Sequence, residues 1–410
     1  MRVPVLLLLI LSTLYVCNLN LLSKEWIVFD STNSPIPSNH IVNIVMDSMD
    51  NKWVASNGVA KFDNSKWTVF DEPGNWLYKY RKNAIATDKQ GNIWIGDSTG
   101  GINKFDGAKL EHYDVHDSVN HNIKVLSINF DPDGNILCGI ANGFMRYNGS
   151  TWESIRHPYF TEYATTFAFD SNGKVWIGSN SIKSILSEGV LGRYKNGTWE
   201  VTFTFGGQIT SLAIDRQNNV WVAYNACSLL ENEGGIRKFS NDLGSLKVYR
   251  SANSPLPHDS VNAIAFDSKG NAWIGTVAGL AKFDGSNWVI YNTSNSDLPD
   301  NHISSILIDK QDNIWIGTKE GGVAVYNEAG VKLDAENKET GTDSKMITRT
   351  IVSDILEVPP SLGLHRIELY NVLGIKVLDT EYLDRINMSC FLPGVYFLKA
   401  GNAFMRILKQ

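Results

Sequence analysis

Short apolar runs, broken by glycine, asparagine and aspartate, fill this chain from about residue 26 to residue 327. Within them apolar residues alternate with small or polar ones, the period of strands that bury one face. The clearest copy predicts four of them. Val261 to Phe266 reads as an inner strand and Ala272 to Thr276 as the second. Leu280 to Phe283 is the third and Trp288 to Tyr291 the outer one. The gaps hold Asp267-Ser-Lys-Gly-Asn271, Val277-Ala-Gly279 and Asp284-Gly-Ser-Asn287, which is turn chemistry.

The unit recurs. Seven times an aspartate stands six residues before the head of a strand-like run, and in six of the seven that head is tryptophan. The pairs are Asp47/Trp53, Asp88/Trp94, Asp170/Trp176, Asp215/Trp221, Asp267/Trp273 and Asp309/Trp315, with Asp131/Leu137 the exception. Successive copies are 41, 43, 39, 45, 52 and 42 residues apart, the length of one four-stranded propeller blade. The pattern predicts an all-β domain, a seven-bladed β-propeller.

Ring closure is written at the two ends of the repeat. Outer strands begin at Trp67, Leu110, Trp152, Trp199, Leu246 and Trp288, but the seventh copy ends at Val323-Ala-Val-Tyr326 with none to follow. Trp26-Ile-Val-Phe29-Asp30 matches Trp67-Thr-Val-Phe70-Asp71, so the N-terminal strand is expected to complete the last blade and remove its exposed edge.

The recurring Asp could serve calcium, and Asp131-Pro-Asp133-Gly-Asn135 most resembles a calcium loop. Such a loop needs further oxygens at alternate positions and a closing bidentate carboxylate, which do not follow. An Asp accepting backbone hydrogen bonds at a hairpin, ahead of a glycine that tolerates positive φ, accounts for every copy. No metal, cofactor or catalytic residue is assigned. Nucleophile elbows, His-Glu-x-x-His and phosphate-cradling glycine loops are missing from the sequence.

Eleven of the twelve tryptophans have places in the repeat, where inter-blade packing is their expected role; Trp76 does not. It lies in a connection between blades, with Tyr78, Tyr80 and Arg81 beside it. Such connections emerge on the same face as the loops between second and third strands, and those loops swell at Ser179–Val190 and Tyr224–Gly235. His121, Tyr159, Tyr163, Tyr224 and His302 fall on that face too. Variable loops on a rigid ring are where binding resides. Aromatic rings beside Arg, Asn and Glu suit a glycan or a protein ligand. These nine residues are the candidate ligand site, although Trp76 could equally cover the end of the central channel.

Composition narrows the setting. The chain has 410 residues and a net charge of −6 without long charged runs, which argues against a nucleic-acid partner. Its four cysteines, at 17, 138, 227 and 390, show neither metal-ligand spacing nor a disulfide framework, so free thiols are expected. Met1-Arg2 and the apolar stretch Val3 to Val16 read as a secretory signal. The expected domains are a signal peptide at 1–23, the propeller at 24–330, a polar linker at 331–345 and a C-terminal domain at 346–410. No transmembrane segment is expected after signal removal.

The repeat Gly-Asn-x-Trp-Ile-Gly-Thr-x-x-Gly, preceded by Ser-x-Leu-Pro-x-Asn-x-Ile and seen best at 294–326, resembles the two-component-regulator propeller repeats of Bacteroidota. The resemblance implies a propeller and a possible glycan ligand. It does not imply signalling, because no kinase or response-regulator segment follows. Asn371-Val-Leu-Gly374 and Pro393-Gly-Val-Tyr-Phe397, near the C-terminus, are similar to the C-terminal sorting domain of type IX secretion cargo, a small immunoglobulin-like β-sandwich. That resemblance implies the type IX secretion machinery as a partner and a secreted or cell-surface location. The leading expectation is a binding module for a glycan or surface protein. The alternatives are a propeller hydrolase or lyase working at the channel mouth, and a scaffold for other surface proteins.

Overall fold

In the computed structural model each predicted apolar run is an extended strand, and the runs pair in chain order into four-stranded antiparallel sheets. The structure describes residues 25–70, 84–96, 101–115, 125–140, 143–156, 163–180, 189–195, 197–205, 207–225 and 234–333. Towards the C-terminus it describes 346–352, 355–357, 367–371, 375–380, 385–391, 393–400 and 403–409. The chain divides into two units, 1–334 and 335–410.

The first unit is a seven-bladed propeller. Blade 6 has strands 261–266, 272–276, 279–283 and 288–291, in that spatial order. Blade 7 runs 303–308, 314–318 and 323–326, and its outer strand is 26–29. Trp26 lies opposite Tyr326 and Phe29 opposite Val323, so the two ends of the repeat close the ring as expected. Innermost strands touch their neighbours right round, 43–46 of blade 1 meeting 303–308 of blade 7. Blades 3 and 4 are also joined by one parallel pairing, Gly143 with Tyr163.

The core sits in the seams between blades. Trp221 and Ile236 of blade 5 pack with Ile264, Ile274 and Phe283 of blade 6. Trp273 and Leu280 of blade 6 pack with Ile303, Ile316 and Trp26 of blade 7. All six tryptophans that follow the aspartates are buried, at 0–5% exposure. The outer-strand tryptophans Trp67, Trp152, Trp199 and Trp288 are only half-buried. A buried indole removes roughly 200 Å² from water, on the order of 5 kcal/mol, so the second-strand tryptophans are the main apolar anchors of each seam.

Two backbone devices permit these seams. The third residue after each repeat aspartate has positive φ in all seven blades: Asp50, Gly91, Gly134, Gly173, Asn218, Gly270 and Asp312. Glycine was expected there. Asp and Asn replace it in three blades because their short polar side chains tolerate the left-handed region. In the Trp-Ile-Gly strand the glycine is where the next blade approaches: a Cβ on Gly275 would stand 2.5 Å from Ile303 Cγ2.

The propeller continues past residue 330. Val331 and Leu333 pack against the seam of blades 7 and 1. Lys332 exchanges backbone hydrogen bonds with the Asn313 carboxamide at 2.8 and 3.2 Å. The start of the expected linker is thus part of the ring's underside, because Asn313 offers a backbone-like donor and acceptor to it.

The second unit is a β-sandwich. Strands 346–352, 403–409, 394–400, 367–371 and 376–380 form one sheet in that order, the first pair parallel. Strands 355–357 and 385–387 form the other. Leu356 and Ile386 of the small sheet share a core with Ile367, Leu369, Leu398 and Ile407 of the large one. Cys138 and Cys390 are free thiols among the described residues. No described helix is long and apolar enough to cross a membrane.

Candidate functional site

The two faces of the ring differ in how their polar groups are used. On the face of the short hairpins, every repeat carboxylate accepts backbone N–H groups of its own turn, and in five blades the following Asn and Trp side chains fill its second oxygen. Asp267 Oδ1 accepts the backbone N–H of Lys269 and Asn271, and Oδ2 accepts the Asn271 carboxamide and the Trp273 indole. Asp131, the calcium-like copy, is filled by Asn135 at 2.8 and 2.7 Å and by Arg146 at 2.9 Å.

On the loop face, one position just ahead of each innermost strand rims the central channel. Counting seven residues back from the repeat aspartate gives His40, Arg81, Lys124, Tyr163, Gln208, Ser260 and His302, of which Arg81 and Lys124 lie outside the described residues. The structure fixes this register. The carbonyls of Gln208, Ser260 and His302 accept the backbone N–H of Asn225, Val277 and Lys319 at 2.9, 3.2 and 3.0 Å. Polar side chains two residues further in tie neighbouring blades: the Asn262 carboxamide donates to Ile303 O at 2.7 Å, and Thr210 Oγ1 to Val261 O. Below them a channel cavity of about 500 Å³ is lined by Asn43, Thr87, Ser127, Asn129 and Thr165, among others.

His302 is the best-defined member of the rim. Its backbone N–H donates to Asp300 Oδ1 at 3.0 Å, and Asp300 Oδ2 accepts from Glu320 N at 2.9 Å. One carboxylate thus holds both the histidine and the adjoining 318–323 loop. Burial lowers the imidazole pKa, and Lys319 lowers it further against the opposing Asp300; His40 adds to the lowering. The ring is therefore neutral at pH 7. Its Nε2 lies 3.4 Å from Asn262 Nδ2, a pairing that places the imidazole proton on Nδ1. The mouth presents a neutral imidazole with an ammonium and a carboxylate from Lys319 and Glu320 on the neighbouring loop, a set suited to binding hydroxyl and amide groups.

Of the nine candidates, Trp76, Tyr78, Tyr80, Arg81, His121 and Tyr159 lie outside the described residues. Tyr163 opens the innermost strand of blade 4, opposite Asn180, at the rim position that His302 occupies in blade 7. Tyr224 is a correction. It ends the second strand of blade 5 at 0% exposure, in the core with Leu212 and Ile209, and Arg237 covers its ring at 5.2 Å. Its strand continues one residue beyond the Trp-Val-Ala run, which draws the ring inward instead of onto the loop. The swollen loops are also shorter than expected, since Ser179, Asn180, Gly189 and Val190 are strand residues. His40, Asn262, Asp300, Lys319 and Glu320 were missed. Counting back from each aspartate would have found the first, because rim residues share that offset.

The fold and this site define a seven-bladed propeller with a polar channel mouth, followed by a β-sandwich. Residues 255–278 and 297–320 match the family model described as "Two component regulator propeller", so these two stretches of the repeat are similar to that family's. No curated protein matches the chain. Among solved structures it is similar to the extracellular domain of a hybrid two component system from B. thetaiotaomicron. Identity is 16% and the TM-score 0.59, over 94% of this chain and 57% of that one. PorZ, a surface component of the type IX secretion system of Porphyromonas gingivalis, gives 16% and 0.53 over 91% and 60%. Virginiamycin B lyase from Staphylococcus aureus, solved in a catalytically inactive form with quinupristin, gives 12% and 0.55 over 73% and 97%. The chain thus spans less than two thirds of the first two structures. At these identities the likeness concerns the fold.

Proposed function

We propose that this protein is an extracytoplasmic binding module that takes a glycan or protein ligand on the loop face of its propeller, at the channel mouth. The observation that carries the reading is the contrast between faces. Hairpin-face carboxylates are spent on the fold, whereas the neutral imidazole of His302 stands with Lys319 and Glu320 around a polar channel. The extracellular and surface settings of the structural neighbours support the location. Residues 1–23 would serve as the export signal and the C-terminal sandwich as a type IX sorting domain.

A glycan-array screen of the full chain tests the ligand. His302→Ala, Trp76→Ala and Tyr159→Ala should each weaken the signal with the melting temperature retained; unchanged binding in all three removes the loop face from consideration. Export is tested by surface proteolysis of cells producing the chain with and without residues 346–410.

A second reading, as a lyase, is favoured by His40 and His302 at the mouth of a ring that shares its fold with virginiamycin B lyase. Ring-opened quinupristin of unchanged mass, told from the substrate by chromatography and fragment ions, would support it, and recovery of the intact cyclic substrate after prolonged incubation would count against it.

A further inference from the structure

The opposite face carries a second opening, between blades 5 and 6, and its chemistry differs from that of the loop face. It is a cavity of about 570 Å³ whose wall includes Trp221, Tyr249 and Phe283. Four cations line it, Arg216, Lys238, Lys247 and Lys269, against two carboxylates, Asp215 and Asp284. Both acids are already engaged within the fold. Asp215 accepts from Trp221, Asn219 and Lys238, the last at 3.0 Å. Asp284 is held by the backbone N–H of Ser286 and Asn287 within its own turn.

The cations divide in the same way. Lys238 is committed, bonded to Asp215 and lying 4.8 Å over the Trp221 ring. Lys247 rests 5.1 Å over Tyr249. The side chains of Arg216 and Lys269 are exposed and make no hydrogen bond or ion pair among the described residues. Both line this cavity, and Gly270, next to Lys269, has no side chain to fill the space; a Cβ there would stand 3.9 Å from Arg216 Cδ.

The neighbouring groove, between blades 6 and 7, provides an internal comparison. It is smaller, about 350 Å³, and is lined by Lys282 and Lys332 and by Asp267, Asp312 and Glu328, with Lys269 on the wall that the two grooves share. Lys282 pairs with Glu328 at 2.9 Å. Asp312 is bonded to Ser268, which ties the two hairpins together. At the blade 5/6 seam the equivalent positions are Arg216 and Gly270, which cannot form that tie. The larger groove is therefore left open with more cations than carboxylates on its walls, in a chain whose overall charge is −6. A surplus of this kind attracts an anion, and a guanidinium favours planar bidentate acceptors.

We infer that the groove between blades 5 and 6 binds an acidic saccharide, with Arg216 and Lys269 pairing to its carboxylate or sulfate groups. The exposed Gln217 carboxamide lies on the same wall and can serve the hydroxyls. This site is separate from the loop-face mouth, and it stands or falls independently of it.

Titration calorimetry on the full chain tests the inference with three probes: oligogalacturonate, sulfated dextran oligosaccharide and neutral dextran. One or both acidic probes should bind and the neutral one should not, which also tells carboxylate from sulfate. The double substitution Arg216→Gln with Lys269→Gln should raise Kd at least about tenfold without moving the melting temperature. Lys66→Gln, an exposed lysine on the same face in blade 1, should leave Kd unchanged. If the double variant loses stability, Lys247→Gln alone should still weaken binding. Wild-type affinity in the double variant, equal loss in Lys66→Gln, or no binding of either acidic probe overturns the assignment.

Discussion

Trp273 donates its indole N–H to Asp267 Oδ2 at 3.0 Å, a bond that the six-residue spacing of the two places within reach. The hairpin brings the second residue of the outgoing strand back over the aspartate that began the turn. The same bond recurs at 2.8–3.0 Å in blades 1, 2, 5 and 7. In blade 3, Leu137 has no side-chain donor, and Arg146, its partner across the ladder, bonds Asp131 instead. In blade 4 the Trp176 indole is buried without a hydrogen-bond partner among the described residues.

That difference separates burial from bonding. Trp273→Phe and Trp176→Phe remove similar apolar surface, but only the first breaks a bond to a carboxylate. Urea unfolding should show Trp273→Phe to be the more destabilising by about 1–2 kcal/mol. Equal losses would mean that the indole bond contributes nothing.

Lys52 is 1% exposed and lies between Asp50 Oδ2 at 3.0 Å and Asp309 Oδ2 at 3.2 Å. It also sits 5.3 Å over the Trp315 ring, where the other blades use a cation from their own third strand. Because Asp309 and Trp315 belong to blade 7, this lysine bridges the seam where the ring closes. Lys52→Met removes the counter-charge of two carboxylates and should cost about 3–5 kcal/mol, read as a lowered melting temperature.

Close inter-blade approach makes two glycines unequal. At Gly139 a Cβ would meet the backbone oxygen of Ala164 at 2.0 Å, whereas at Gly275 it would meet the side chain of Ile303. A side chain can turn aside more readily than a strand. Gly139→Ala should therefore destabilise by several kcal/mol and Gly275→Ala by about 1–3 kcal/mol, with soluble yield and denaturant midpoint falling in that order.

His302 resists protonation in the folded state, first through burial and then through Lys319. Its folded pKa lies below the unfolded value of about 6.5. The unfolded chain therefore binds the proton first, and stability falls as pH drops through that value. His302→Asn should flatten this loss between pH 7 and pH 5 in melting curves; an identical slope in both proteins would show that the imidazole is not responsible.

Much of the ring was legible because its signals are local. The Asp-to-Trp spacing is set within one hairpin, and alternation within one strand, so the blade count and the closing strand at Trp26 follow from residues close in sequence. Tyr224 shows where such reading stops. On the sequence it borders a long loop, and only the pairing of 220–224 with 235–239 turns its ring into the core. Lys319 and Asn262 were hidden for a related reason. They lie 57 residues apart in sequence and meet around His302 only when blades 6 and 7 stand side by side.

The sequence by itself determined the repeat, its strands and the way the circle shuts, since each rests on turn chemistry and apolar period. Tertiary structure decided which polar groups the fold consumes. The hairpin aspartates are engaged by their own turns, Lys52 is buried to close the ring, and the side chains of Arg216 and Lys269 are left without a hydrogen bond or ion pair among the described residues. Those outcomes depend on what the adjacent blade brings to each seam, which no single repeat contains.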